Sequence, residues 1–177
     1  ENSQEITDSR YRVLANEDLV LNGMVHLMFD SDLAYKLRDL VDIDGMCRYF
    51  ADNTPDFWDS LTSRADELGL GRPLSYSLRY AEQVLDTPVP AEVTREVQKW
   101  APPAPIRWLM DRLVPLALLP EHPLYQTRRA SLARLLLYMR SHWLRMPPWL
   151  LAYHLTYKVW VIRIGRAATW PERPQAG

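Results

Sequence analysis

Apolar residues recur along this chain at spacings of three and four, which is the mark of helices with one buried face. No run of β-branched residues alternates with polar ones, and glycines number only six, so strands are not expected. The periodicity predicts helices over 17–30, 32–51, 55–69, 73–86, 90–100, 105–118, 123–145 and 147–166. The fold class is therefore all-α: a bundle of about 7–8 helices that ends in a long helical pair. Thr54, Pro55 and Asp56 predict one helix start, with a hydroxyl cap, a proline at the first helical position and a carboxylate in the first turn. "ELGLGRP", residues 67–73, predicts a stop, since glycine adopts the left-handed conformation that ends a helix and Pro73 can open the next one. Residues 1–16 and 170–177 lack the pattern and read as flexible ends. Between them, 17–169 read as a single helical domain, with "APPAPIRW" (101–108) joining a front bundle, 17–100, to back helices, 105–166.

Some polar residues break the pattern. On a wheel of 32–51, Leu33, Leu37, Leu40 and Cys47 share one side and Asp44 falls among them, whereas Asp42 falls opposite, beside Arg38 and near Asp39. Asp42-Ile43-Asp44 has the form of the Asp-x-Asp pair that holds metal ions in many nucleotidyltransferases. In a helix, however, residues two apart diverge by about 200°, and only in a strand do they share a face. These two carboxylates therefore do not chelate one metal if the segment is helical. Asp44 needs a partner, because an unpaired carboxylate on an apolar stripe is costly. Asn22 and His26, on a narrow polar strip of the preceding helix, or an arginine from another helix, could supply it. Two readings stand: a structural polar network, or the wall of a ligand cleft formed by Asn22, His26, Arg38, Asp39, Asp42 and Asp44.

Charge changes the picture locally. The chain of 177 residues has a net charge of -1, so no global attraction to nucleic acid or anionic lipid is implied. Yet residues 1–60 hold thirteen acidic side chains against five basic ones, and residues 101–177 hold three against eleven. Such opposed halves suit mutual packing or two different partners. The basic half also carries Trp149, Tyr153, Tyr157, Trp160 and Ile164 at helical spacing. That stripe is expected to be buried against other helices, with docking on a protein or on a peripheral membrane surface as the alternative. Arginines spread around the 123–145 wheel leave no dedicated basic face, so nucleic acid is not an expected partner.

Other chemistry finds no support. The single cysteine, Cys47, excludes an intrachain disulfide and multi-cysteine zinc, and it fits a reducing compartment. The first residues have no apolar leader segment and no run reaches the roughly 20 apolar residues of a membrane span, so the cytoplasm is the expected location. Asp30 and Asp32 suit helix capping better than metal binding. His122, His142 and His154 lack paired-ligand spacing. There is no nucleophile elbow and no Gly-rich phosphate loop. No catalytic or metal-ligating residue is assigned, and no cofactor is expected in this chain.

Three stretches together carry a family resemblance: "LVLNGMVHLMFDSDLAYKLRDLVDIDGM", "DFWDSLTSRADELGLGRPLSYSLRYAEQVLDTPVP" and "YMRSHWLRMPPWLLAYHLTYKV". In their order and motifs they resemble the C-terminal helical part of bacterial nucleotidyltransferase family proteins, over most of residues 17–165. In that family an upstream mixed α/β domain carries a Gly-Ser turn and a strand-borne Asp-x-Asp, which bind a nucleotide triphosphate and magnesium. No Gly-Ser dipeptide occurs in this sequence. The resemblance therefore implies an accessory helical domain that packs on such a catalytic domain and helps shape its cleft, and that is inactive alone. His26, Arg38, Asp39, Asp42 and Asp44 match the family's most recognisable polar motif.

Overall fold

The computed structural model describes residues 3–5, 12–29, 36–119 and 127–145, and in addition 149, 150, 153, 156, 157 and 160. Its elements are two short strands, β1 (Ser3–Glu5) and β2 (Arg12–Leu14), and seven α-helices among the described residues. The helices are α1 (Asn16–Phe29), α2 (Leu37–Asn53), α3 (Phe57–Glu67), α4 (Gly71–Leu85), α5 (Ala91–Val97), α6 (Ala104–Leu118) and α7 (Arg128–Arg145). A 3-10 turn, Gln98–Trp100, extends α5. The all-α class holds. Asn22-Gly23 and Asp44-Gly45, dipeptides that mark hairpin turns in strand-rich chains, both lie inside helices, because the apolar residues around them repeat every three or four positions.

The N-terminal segment, expected to be flexible, instead contains the antiparallel pair β1–β2, with Ser3 opposite Leu14 and Glu5 opposite Arg12. Three residues are too few for alternation to register in the sequence. The tail at 170–177 lies outside the described residues. The predicted helix starts are shifted at two junctions. Thr54 is the C-cap of α2, its N–H donating to the Phe50 carbonyl, and Asp56 precedes α3 in the left-handed region at φ 55. The stop at "ELGLGRP" forms as expected: Gly69 has φ 66, and the Leu70 N–H reaches back to the Ala65 carbonyl at 2.7 Å. That bond closes the helix end through a Schellman motif. The next helix begins at Gly71, with Pro73 inside its first turn.

The chain divides into two compact units, Glu1–Tyr138 and Met139–Gly177. "APPAPIRW" lies within the first, as the start of α6. In that unit α4 is the central helix and meets α1, α2, α3, α5 and α6. It can do so because both of its sides are apolar or small: Leu74, Ser75, Tyr76, Ser77, Leu78, Tyr80 and Ala81 are all buried. Its first residue, Gly71, leaves no room for a Cβ, since the Trp100 indole lies directly against it. The other helices give one stripe each to the same core: Val20, Met24 and Leu27 from α1, Leu40, Ile43 and Cys47 from α2, Phe57 and Leu61 from α3. Burial of such stripes is the main favourable term in the fold. In the second unit Trp149, Tyr153, Tyr157 and Trp160 are helical. They are also exposed, at 71%, 66%, 53% and 59%, which overturns the expected burial of that stripe. Helical spacing fixes which residues share a face and does not specify what covers it. Ile164 lies outside the described residues.

Candidate functional site

The six candidate residues all lie on α1 and α2, which form an antiparallel hairpin. Asn16 at the start of α1 donates from Nδ2 to Thr54 Oγ1 at the end of α2, at 3.2 Å. Midway, the helices meet at Gly23, where a Cβ would lie 3.4 Å from the Met46 methyl and 3.5 Å from Ile43. This crossing sets the direction of every other side chain. On α1, Leu19, Asn22, His26 and Phe29 are exposed on a common face, at spacings of three and four. On α2 the exposed stripe includes Arg38, Val41, Asp42, Gly45 and Tyr49. With Gly23 facing Met46 and Ile43, helical geometry puts His26 and Asp42 on the same outer side of the seam. The structure thus gathers Asn22, His26, Arg38 and Asp42 on one outward surface, interspersed with exposed Leu19, Phe29, Val41 and Tyr49. Asp39 sits at its margin, held by Lys36 at 2.6 Å.

Asp44 is not part of that surface. It is more buried than Asp42, with 17% of its side chain accessible, as the apolar stripe predicted. Its partners differ from those expected, being neither Asn22 nor His26. Arg48, one turn along the same helix, donates from Nε to Asp44 Oδ1 at 2.8 Å, and the buried Thr87 hydroxyl donates to the same oxygen at 2.6 Å. Arg48 also reaches the Leu85 and Asp86 carbonyls at 3.1 and 3.0 Å. These are terminal carbonyls of α4, which lack intrahelical donors and attract a cation. The Asp44–Arg48–Thr87 cluster is therefore a clasp between α2 and the C-terminus of α4. Asp42 and Asp44 point apart, as the helical register requires. Among the described residues no group of three or more His, Cys, Asp or Glu side chains is placed to hold a metal ion.

The sequence reading missed several contacts. Arg64 of α3 grips Asp18 of α1 through two bonds of 2.7 and 3.1 Å and Glu67 through a third of 2.7 Å. The bonds to Asp18, then to Glu67, raise the Arg64 pKa further above its ordinary value. Arg79 of α4 makes a bidentate pair with Asp111 of α6, both bonds 2.7 Å, and that pairing raises its pKa in the same way. Asp44–Arg48 and Arg64–Glu67 had a local signal, their spacings of four and three. Arg64–Asp18 and Arg79–Asp111 join residues 46 and 32 positions apart, and no periodicity marks them.

Cys47 packs in the core beside Asp44. Burial first, and the Asp44 charge second, push its thiol up to about 12. It stays protonated at neutral pH and has no nucleophilic role. Two cavities lie elsewhere in the first unit. One of about 350 Å³ is lined by Asp56, Phe57, Trp58, Asp59 and Glu92. The other, about 40 Å³, is lined by Ser75, Arg79, Glu82, Thr94 and Arg107. None of the six candidate residues borders either one.

The outward surface is thus polar with interspersed apolar residues and lies on a helical hairpin. A family model described as an uncharacterised nucleotidyltransferase matches residues 1–86. The match takes in the strand pair, α1 to α4 and all six candidate residues, and it stops short of the "HWLRMPP" motif. No curated protein and no solved structure matches the chain.

Proposed function

We infer that this chain is the helical accessory part of a nucleotidyltransferase-like protein, which packs through the outer face of α1 and α2 on a mixed α/β catalytic domain and borders its nucleotide or substrate cleft. The observation that carries this reading is the composition of that face. His26, Arg38 and Asp42 are open to a ligand there, while Leu19, Phe29, Val41 and Tyr49 supply apolar contact area within the family-matched residues. Such a mixture suits a domain interface. The strand pair adds to it. Two-stranded ribbons are marginal alone, and Val13 and Leu14 of β2 are exposed, so a neighbouring sheet edge would stabilise them. Magnesium and the nucleotide triphosphate would be held by the catalytic domain, and nothing in α1 or α2 supplies converging carboxylates for the metal.

The reading makes two demands on a transfer assay with labelled nucleotide triphosphates, magnesium and cell extract. The purified chain should transfer no label. In a longer protein that joins the chain to a nucleotidyltransferase catalytic domain, His26→Ala and Asp42→Ala should each lower transfer by about tenfold, the effect of losing about 1.4 kcal/mol of contact, with melting unchanged. Transfer by the chain alone that is lost in Asp42→Asn would overturn the accessory role. Indifference of the longer protein to both substitutions would remove the face from the cleft.

A further inference from the structure

The second unit carries an exposed surface of a different kind. Trp149, Tyr153, Tyr157 and Trp160 follow one another at spacings of four, four and three, and so share one side of a helix. The Thr156 hydroxyl bonds the Tyr153 carbonyl at 2.8 Å, as helical geometry allows. The rings are ordered along that side: Tyr153 and Tyr157 stack with centroids 6.4 Å apart and planes 15° apart, and Tyr157 and Trp160 follow at 6.2 Å and 31°. More than half of each side chain is accessible. Charge gives the second observation. Residues 139–177 contain six basic side chains, Arg140, Arg145, Lys158, Arg163, Arg166 and Arg173, against the single acidic Glu172.

We propose that this aromatic face docks in the interfacial layer of an anionic lipid membrane, with the basic residues of the unit drawn to the lipid headgroups. Tryptophan and tyrosine suit that layer, since each combines an apolar ring with a polar tip. Basic residues close to an anionic surface add an attraction that salt screens. Length decides against spanning: the apolar run from Trp149 ends at Ile162, before Arg163, and contains Lys158. It is thus shorter than the about 20 residues a bilayer core requires. Composition also favours lipid over nucleic acid. Bases are held by stacking on aromatic faces beside phosphate-binding cations, and the run 149–162 holds only one formally charged residue.

The test uses the full chain with two kinds of vesicle, phosphatidylcholine alone and phosphatidylcholine mixed with phosphatidylglycerol. Wild type should co-sediment with the mixed vesicles far more than with the neutral ones, and salt at about 1 M, where the screening length falls to about 3 Å, should weaken the binding. The double variant Trp149→Ser with Trp160→Ser should lose about tenfold or more of its partition, because each indole buries roughly 150–250 Å² when fully covered. Both positions are exposed, so the thermal melt of the variant should match wild type and a folding defect can be told apart. Absence of binding to the mixed vesicles, equal binding to both kinds, or unchanged binding by the double variant would each overturn the proposal. So would retention of single-stranded RNA by wild type, abolished in the double variant, with no vesicle binding, which would assign the face to nucleic acid.

Discussion

The front of the molecule and its C-terminal part use the same apolar content in opposite ways. In α1 to α5 each helix has an apolar stripe and a polar remainder, the stripes meet around α4, and Asp44, drawn inward, finds partners in Arg48 and Thr87. In α6 the apolar residues run almost all round. Met110, Val114, Ala117 and Leu118 are buried, while Ile106, Trp108 and Leu109 remain exposed on the outer side, where Arg112 lies 4.0 Å above the Trp108 ring. The aromatic face of the second unit is exposed as well. A helix apolar on every side is built for more contacts than its own unit provides. The front buries its stripes within its own unit, whereas Trp108, Trp149, Tyr153, Tyr157 and Trp160 stay exposed in the later elements.

The largest effect should come from treating equivalent aromatic residues alike in the two regions. Phe57 is 1% exposed and packs against Phe50 and Trp58, with ring centroids 5.7 and 5.2 Å away. Its truncation to alanine should cost about 3–5 kcal/mol, through lost burial and the cavity left behind. Trp149→Ala removes a larger side chain that is 71% exposed and should change stability by no more than about 0.5 kcal/mol. Urea melts of the two variants decide the matter. Similar losses in both would mean that the aromatic face is buried in solution, and the contrast between the regions would fail.

A smaller effect distinguishes the two aspartates of α2. Asp44→Ala strands the buried Thr87 hydroxyl and removes the carboxylate that positions Arg48 on the end of α4, for an expected cost of about 1–3 kcal/mol. Asp42→Ala, on the exposed face, should stay within about 0.5 kcal/mol. If the chemical midpoints reverse that order, the helical register of α2 is wrong. This pair also marks how far the sequence could be read. Period fixed the helix, the divergence of Asp42 from Asp44 and the greater burial of Asp44, since all three depend only on positions within one element. The clasp itself needed Thr87, 43 residues away, and its place follows from the left-handed turn at Asp86, which adopts φ 52 although it is not glycine. Likewise the outer surface of Asn22, His26, Arg38 and Asp42 was legible residue by residue. Its unity was not, because it depends on where α1 crosses α2 at Gly23.

The smallest expected effect has the opposite sign. Gly45 lies mid-helix on the exposed stripe of α2, between Val41 and Tyr49, and a Cβ added there would meet nothing within 4 Å. Its backbone is helical, so alanine fits without strain and restricts the unfolded chain, which should stabilise the protein by about 0.5–1 kcal/mol. For a chain of this length that corresponds to a rise in melting temperature of a few degrees, roughly 2–4 °C for each kcal/mol. Calorimetry on the purified chain should show the rise. A fall would mean that the α1–α2 face is already covered in solution, by a second copy or by part of the chain itself. With the rise confirmed, the same substitution in a protein that joins the chain to a nucleotidyltransferase catalytic domain separates the two regions further. A domain packed closely over Gly45 would be displaced by the new methyl group and transfer would drop, while vesicle binding through the aromatic face would be unchanged.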